Sequence, residues 1–564
     1  MNMKERIGYV VGGTLRSNLR VRLTCKPDTV QEGSFVVIDG TPYLFYSLVT
    51  DLQLGSTDPR FADEQFEQRI DPRLAQMLLG QTLYTNIEIM PVLMQETAPD
   101  DQLSTGDEIS HPIPVKTIPE HHSIVRMAHQ GDIEAIFGSV EKKGNFVVGT
   151  TREQDLPVCI DLEKFVKRSS GIFGATGTGK SFLTRMILAG LIHENQASVF
   201  IFDMHNEYAF DRNDPDTGGR ITGLTSKFKG KLQAFGLGAS PMVSGNALSS
   251  LMIAESDIEP EDILLLSKEL NLRETTDATL NALFSSKGTQ WFTFFEGLEP
   301  GKRITIDEEG EKTEFAPDSV EGWARDAGIH PEAAKALHTR LRKIFNKDYI
   351  IADRQKAQDS LKTIIDYLQN GRHVVLSFGN YESDLDYLLV ANILTRRIRE
   401  AWVKQTNDYN SHHDKPKPRS LVITVEEAHK LMTREMASQT IFSTIAREMR
   451  KYFVTLLVVD QRPSQIYDEV MSQLGTRISG WLGDDADISA VLSGLSNKDN
   501  LRGMLAHLQE KEEVLLLGWG VPMPLPVRSR RYDDEFWRTL LKNKGKASAA
   551  DDANEADLKA VLGF

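Results

Sequence analysis

The sequence predicts an α/β protein: a small N-terminal β-barrel, then a nucleotide-binding core of buried strands and helices interrupted by a helical insertion. Three observations predict it. Residues 174–181 read G-x-x-x-x-G-K-S, between the apolar approach Gly171-Ile172-Phe173 and the helix-period run Phe182–Leu188. Short apolar runs of the kind found in buried parallel strands recur at Ser198–Asp203, His373–Phe378, Leu421–Val425 and Thr455–Asp460, with helix-like stretches between them. The first 155 residues instead hold short strand patterns separated by turn signals, which suggests a barrel.

At 564 residues the chain should hold about two to four domains. It is 40% hydrophobic and 26% charged, ordinary for a globular protein. No apolar run is long enough for a membrane helix, and Met1–Arg6 leads into no secretory h-region. Two distant cysteines, Cys25 and Cys159, read as buried free thiols in a reducing compartment. Together these predict a cytoplasmic protein with no membrane partner. The net charge of −15 neither supports nor excludes nucleic acid, because a ring or channel needs only a local basic lining.

In chain order, residues 1–155 form the predicted barrel, an assembly or docking module. Ile7–Gly13, Leu19–Leu23, Ser34–Ile38, Tyr43–Val49 and Thr82–Ile89 are its strands, and Asp39-Gly40 is a hairpin turn. Residues 54–80 read as partly helical, and 97–112 as a polar loop. Residues 156–225 begin the nucleotide fold, with strand, P-loop, helix and strand as its first unit. Residues 226–345 break the rhythm with helix-like pieces at Pro260–Leu270, Thr275–Ser286 and Ser319–Phe345, and an aromatic patch, Gln290–Phe295, reads as core. Residues 346–530 resume the core: a helix over 384–403, a polar loop over 405–419, and further strands at Arg477–Leu482 and Val514–Gly518. Residues 531–564 are a C-terminal extension, disordered from 543 until a short helix at 556–562.

The chemistry collects at strand ends. In the P-loop, Gly174, Ala175, Thr176, Gly177, Thr178, Gly179, Lys180 and Ser181 would cradle phosphate with backbone N–H groups and a helix N-terminus. Lys180 can reach the β- and γ-phosphates of ATP, and Ser181 can ligate Mg2+. Glu426 and Glu427 end an apolar strand. Glu426 would hold Mg2+ through water, and Glu427 would polarise the attacking water. Glu426 stands where Asp is usual. Gln461, at the tip of the next strand, is placed to sense the γ-phosphate. Asp203, His205, Asn206 and Glu207 follow another strand, where open α/β sheets bind ligands, although a capped polar loop reads equally well. Arg447 and Arg450 share a helix face. They read either as an exposed basic helix end or as a guanidinium reaching a neighbouring subunit.

Together these motifs resemble the FtsK–HerA superfamily of P-loop ATPases, and within it the HerA DNA translocases. Ile7-Gly8, Glu32–Val37 and Phe146–Thr150 are similar to that family's N-terminal barrel and its approach to the P-loop. Asp203–Tyr208 resembles its D-x-H-G-E-Y segment, with Asn206 replacing glycine. Val425–His429 looks like its Walker B strand end, and Arg447–Tyr452 its R-x-G-R-K stretch, with Met449 where glycine is usual. Asp460–Ser464 is close to S-Q-R-P-S, and Gly518–Pro526 resembles the closing strand pair. The resemblance implies a RecA-like core with a HAS-type barrel, Arg450 as the finger acting in trans, and ATP with Mg2+. It further implies a homo-hexamer that moves double-stranded DNA. The implied partner is a NurA-like nuclease or another effector, such as a sirtuin-like protein, in DNA end processing or antiphage defence. A ring that binds ATP chiefly to assemble and switch an effector is the alternative. A GTPase is disfavoured, because the acid of Asn497-Lys498-Asp499-Asn500 comes one place too early for N-K-x-D.

Overall fold

The computed structural model describes residues 6–15, 17–57, 83–97, 111–214, 218–305, 313–381, 383–412, 414–436 and 440–542. The expectations for 58–80, for 98–110 and for the tail from 543 lie outside these residues. The chain forms two compact units.

The first unit comprises Met1–Phe165, Ile172–Met186 and Gly475–Arg538. Its N-terminal part is a closed antiparallel barrel in the order Leu19–Leu23, Arg6–Gly13, Ile124–Met127, Phe35–Asp39, Tyr43–Ser56 and Leu83–Glu96. The last strand pairs back on the first, Leu19 opposite Ile89 and Val21 opposite Ile87, so the six strands leave no open edge. Alternation decides which side chains enter. In Leu19–Leu23 the three apolar residues are buried, while Arg20 is exposed and Arg22 half-buried. Val10, Val36, Ile38, Phe45, Val49, Ile87 and Val125 fill the interior. Residues 54–56 continue the strand Tyr43–Ser56, where the sequence suggested helix. The same unit holds an antiparallel sheet of Thr476–Ser479, Glu513–Gly518, Leu525–Ser529, Asn145–Thr150 and Pro157–Asp161.

The second unit comprises Val166–Gly171, Ile187–Leu474 and Thr539–Phe564. Its centre is a parallel sheet in the order Ser249–Leu251, Leu232–Leu237, His373–Ser377, Ser198–Asp203, Leu421–Glu426 and Val454–Asp460. Every residue of the last four strands is buried. Helices cover both faces of such a sheet, so its strands read as continuous apolar runs. The first two strands lie within 226–345 and were not picked out from sequence. Leu232–Leu237 contains Gln233 and Gly236 and is short of β-branched residues.

The helices Pro260–Leu264, Thr276–Lys287, Trp291–Glu296, Val320–Asp326 and Pro331–Phe345 form the insertion. Trp291, Phe292 and Phe295 are fully buried, Phe292 against Phe345 and Phe295 against Trp323 and His338, and the Trp291 indole N–H donates to the Ile258 carbonyl at 2.9 Å. The helix Asp384–Ser411 overruns the polar loop expected from 405. Its last turns are polar in composition, yet Trp402 and Thr406 keep one face buried, and a solvated helix face tolerates the rest.

Candidate functional site

The P-loop belongs to the first unit. The strand Ser170–Phe173 leads into it, and the helix Lys180–Glu194 leaves it. Gly177 and Gly179 have φ of 83° and 86°, left-handed values that a side chain would resist. A Cβ on Gly174 would lie 2.6 Å from Thr178 Oγ1. That hydroxyl donates to the Ala175 carbonyl at 2.8 Å and closes the turn, while the Ala175 N–H donates to the Trp481 carbonyl at 3.0 Å. Thr176 and Gly177 are exposed at the tip. Lys180 and Ser181 sit in the first turn of the helix, where unpaired N–H groups and the dipole favour an anion.

The acids belong to the second unit. The register sets Phe202 beside Val425 and Glu426 beside Val459, so the carboxyl ends of three neighbouring strands lie side by side. Glu426 is the last residue of its strand and is 7% exposed. Its carboxylate accepts from the Tyr208 hydroxyl, and its carbonyl accepts from the Tyr387 hydroxyl at 2.8 Å. Burial and the neighbouring acids push the Tyr387 phenol well above its ordinary pKa, so it stays a donor.

Glu427 leaves the strand with φ 46° and ψ 46°, left-handed values for a non-glycine residue. Such a conformation is strained and persists only where its surroundings enforce it. The turn directs its carboxylate to Gln461, whose amide donates to both oxygens at 3.2 and 3.3 Å. The structure therefore brings Glu426, Glu427 and Gln461 together.

Asp460, fully buried, holds that corner. It accepts from the His429 N–H at 2.7 Å, from the Arg462 N–H at 2.7 Å, and pairs with the His429 ring at 3.0 Å. Burial pushes the Asp460 carboxyl up, but these bonds and the His429 charge hold it below the usual range. His429 is raised by the same hydrogen bond, against its own burial. Neither Asp460 nor Tyr208 had been assigned a role from sequence.

Asp203 is a cap. Its carboxylate accepts from the N–H groups of Glu207, Tyr208 and Ala209 at 2.6, 3.0 and 3.3 Å. Burial nevertheless pushes it above its ordinary pKa. Asn206 has φ 54°, a left-handed value that asparagine tolerates almost as glycine does, and its side chain exchanges hydrogen bonds with Gly379. Glu207 pairs with Arg212 at 2.8 Å. His205 is exposed.

Arg447 lies in the last turn of the helix Ile441–Glu448 and pairs with Glu469 at 3.2 Å. Arg450 is exposed in the following 3-10 turn, Met449–Tyr452, and among the described residues no side chain pairs with it. Met449 has ordinary helical angles and is fully buried, so it needs no glycine there. Among the described residues no helix is long and apolar enough to cross a membrane.

Residues 146–398 match the family described as the central domain of helicase HerA. The chain is 23% identical over 537 residues to the DNA double-strand break repair helicase HerA of Sulfolobus acidocaldarius, covering 94% of each chain. It is 23% identical to the protein of that name from Saccharolobus solfataricus, covering 94% of this chain and 93% of the other. Among solved structures, the bacterial conjugative coupling protein TrwB is 12% identical, over 72% of this chain and 92% of that one, with a TM-score of 0.43.

Proposed function

We propose that this chain, whose residues 146–398 match the HerA central domain, is a HerA-like P-loop ATPase that hydrolyses ATP to move double-stranded DNA through a homo-hexameric ring. The observation that carries the reading is the pair at one strand end: Glu426 anchored in the sheet, and Glu427 turned out of it onto Gln461. The HerA relatives are named DNA double-strand break repair helicases, which supports a role at DNA ends.

In this reading the P-loop binds the phosphates, and Lys180 neutralises charge on the β- and γ-phosphates. Ser181 offers a hydroxyl to Mg2+ and Glu426 a carboxylate that would hold it through water, the hard oxygen donors that the ion prefers. The ion would polarise the γ-phosphate when bound. Glu427 orients the attacking water and accepts its proton. Gln461, which donates to Glu427 here, would move its amide toward the γ-phosphate when nucleotide arrives. Arg450, exposed and unlike Arg447 not engaged with Glu469, is the guanidinium proposed to reach a neighbour's nucleotide. The closed barrel is proposed as the docking module for a NurA-like nuclease or another effector, in end processing or antiphage defence, in the cytoplasm. The domain boundaries proposed are those drawn from sequence: 1–155, 156–225, 226–345, 346–530 and 531–564.

Mass measurement with ATP, with and without duplex DNA, tests the ring: assembly is expected, and a monomer throughout would overturn it. Loss of effector function in Glu427→Gln with assembly intact supports hydrolysis-driven work. Retained function supports a scaffold that ATP merely assembles.

A further inference from the structure

The segment that follows the strand Ser198–Asp203 works on the next strand over. Asp203 gathers three consecutive N–H groups, from Glu207, Tyr208 and Ala209, and so fixes the backbone at Tyr208. The Tyr208 ring is fully buried, and its hydroxyl meets Glu426 Oε1 across 218 residues of sequence. From the other side Tyr387, in the helix Asp384–Ser411, holds the Glu426 carbonyl.

Glu426 occupies a strand end where aspartate would be shorter by one methylene. The extra methylene adds a torsion, and a carboxylate with a free torsion is a poor point of attachment for an ion that demands near-ideal octahedral geometry. One oxygen fixed by a buried phenol removes that freedom and leaves the carboxylate in one orientation. An aspartate at 426 would hold its carboxylate on a side chain one methylene shorter.

We infer that Tyr208 is a positioning residue for Glu426: it orients the carboxylate toward Mg2+, and the capped Asp203 turn exists to hold it there. The inference rests on the reading of Glu426 as the acid on the Mg2+ side. It predicts that Tyr208 and glutamate at 426 work as a pair.

The test uses the full chain with a non-hydrolysable ATP analogue and Mn2+ as a paramagnetic probe, followed by electron paramagnetic resonance. Tyr208→Phe, which removes one hydroxyl, should weaken Mn2+ binding about tenfold, the loss expected for a hydrogen bond to a charged group. The Mg2+ concentration for half-maximal hydrolysis should rise by the same factor, with the KM for nucleotide at saturating Mg2+ unchanged. In a Glu426→Asp background, adding Tyr208→Phe should change nothing further. Wild-type Mn2+ affinity in Tyr208→Phe overturns the inference, as does an equal loss in both backgrounds, which is what a packing role would give. If Tyr208→Phe does not fold, Glu426→Asp alone should lose the same affinity, and an unchanged value overturns the pairing. Wild-type protein that holds no Mn2+ with the analogue overturns the parent reading of Glu426 itself, an outcome distinct from the others.

Discussion

Three neighbouring strands of the parallel sheet end in a carboxylate, and they use it in two different ways. On the flanks, Asp203 and Asp460 are fully buried and accept backbone N–H groups, Asp203 from the turn that follows it and Asp460 from Arg462 in its own turn and from His429 in the neighbouring one. In the centre, the carboxylates of Glu426 and Glu427 meet side chains. Glu426 is held by phenols, and Glu427 is thrown outward by a left-handed residue. An acid at the carboxyl end of a parallel strand is therefore no functional signal by itself. What separates the two uses is length and company: the aspartates reach backbone N–H groups of their own or the neighbouring turn, whereas the glutamates reach side chains, Glu426 the Tyr208 hydroxyl and Glu427 the Gln461 amide.

The largest loss of stability is expected for Asp460→Ala. It leaves the His429 and Arg462 N–H groups and the His429 ring without their acceptor. Losing one partner of a buried ion pair costs about 3–5 kcal/mol, read as a fall in the denaturant midpoint. The deficit depends on pH. Asp460 lies below its unfolded pKa, so its contribution is present above that value and disappears in strong acid. His429 lies above its unfolded value, so the pair also weakens as pH rises through the folded pKa of His429. A deficit that stays constant into alkali would contradict the pairing.

The amino end of the same sheet holds a different titratable group. His373 starts its strand buried, accepts the Val199 N–H at 3.2 Å, and has its pKa pushed down to about 3 by burial and by the nearby Arg419 and Lys231. The unfolded chain binds this proton near pH 6.5 and the folded chain does not, so stability falls with acid across that window. From this residue alone, the loss between pH 7 and pH 5 should be about 2 kcal/mol, checked by urea unfolding at both values. His373→Asn should flatten that slope.

The smallest effect belongs to Asn206. Asn206→Gly keeps the left-handed backbone and loses only the exchange with Gly379, about 1 kcal/mol. Asn206→Ala loses the bonds and adds roughly 1 kcal/mol of backbone strain. Equal stabilities for the two variants would show that the backbone angle is not the constraint.

These contrasts also mark how far the sequence could be read. The P-loop, the barrel strands and the run into Glu426 were legible because each is a local pattern: glycine spacing, alternation, or an unbroken apolar stretch. Glu426, Glu427 and Gln461 were legible as a set because consecutive buried strands of a parallel sheet bring their carboxyl ends together. Tyr208 was not, since its partner lies on a different strand, and nothing in Glu207-Tyr208-Ala209 distinguishes a buried phenol from a core ring. Asp460 was passed over beside Gln461, because a cap differs from a catalytic acid only in what it touches. The helix to Ser411 was cut short because its polar last turns carry only Thr406 as an inward signal. Leu232–Leu237 went unnoticed because Gly236 and Gln233 dilute the strand pattern.

The most direct measurement compares steady-state ATP hydrolysis by the full chain and by Glu427→Gln, with duplex DNA, alongside nucleotide binding. Binding should stay intact, the unfolding midpoint unchanged, and turnover should fall about 10²- to 10⁴-fold, the usual contribution of a positioned general base. Turnover of Glu427→Gln at the wild-type rate would contradict that role.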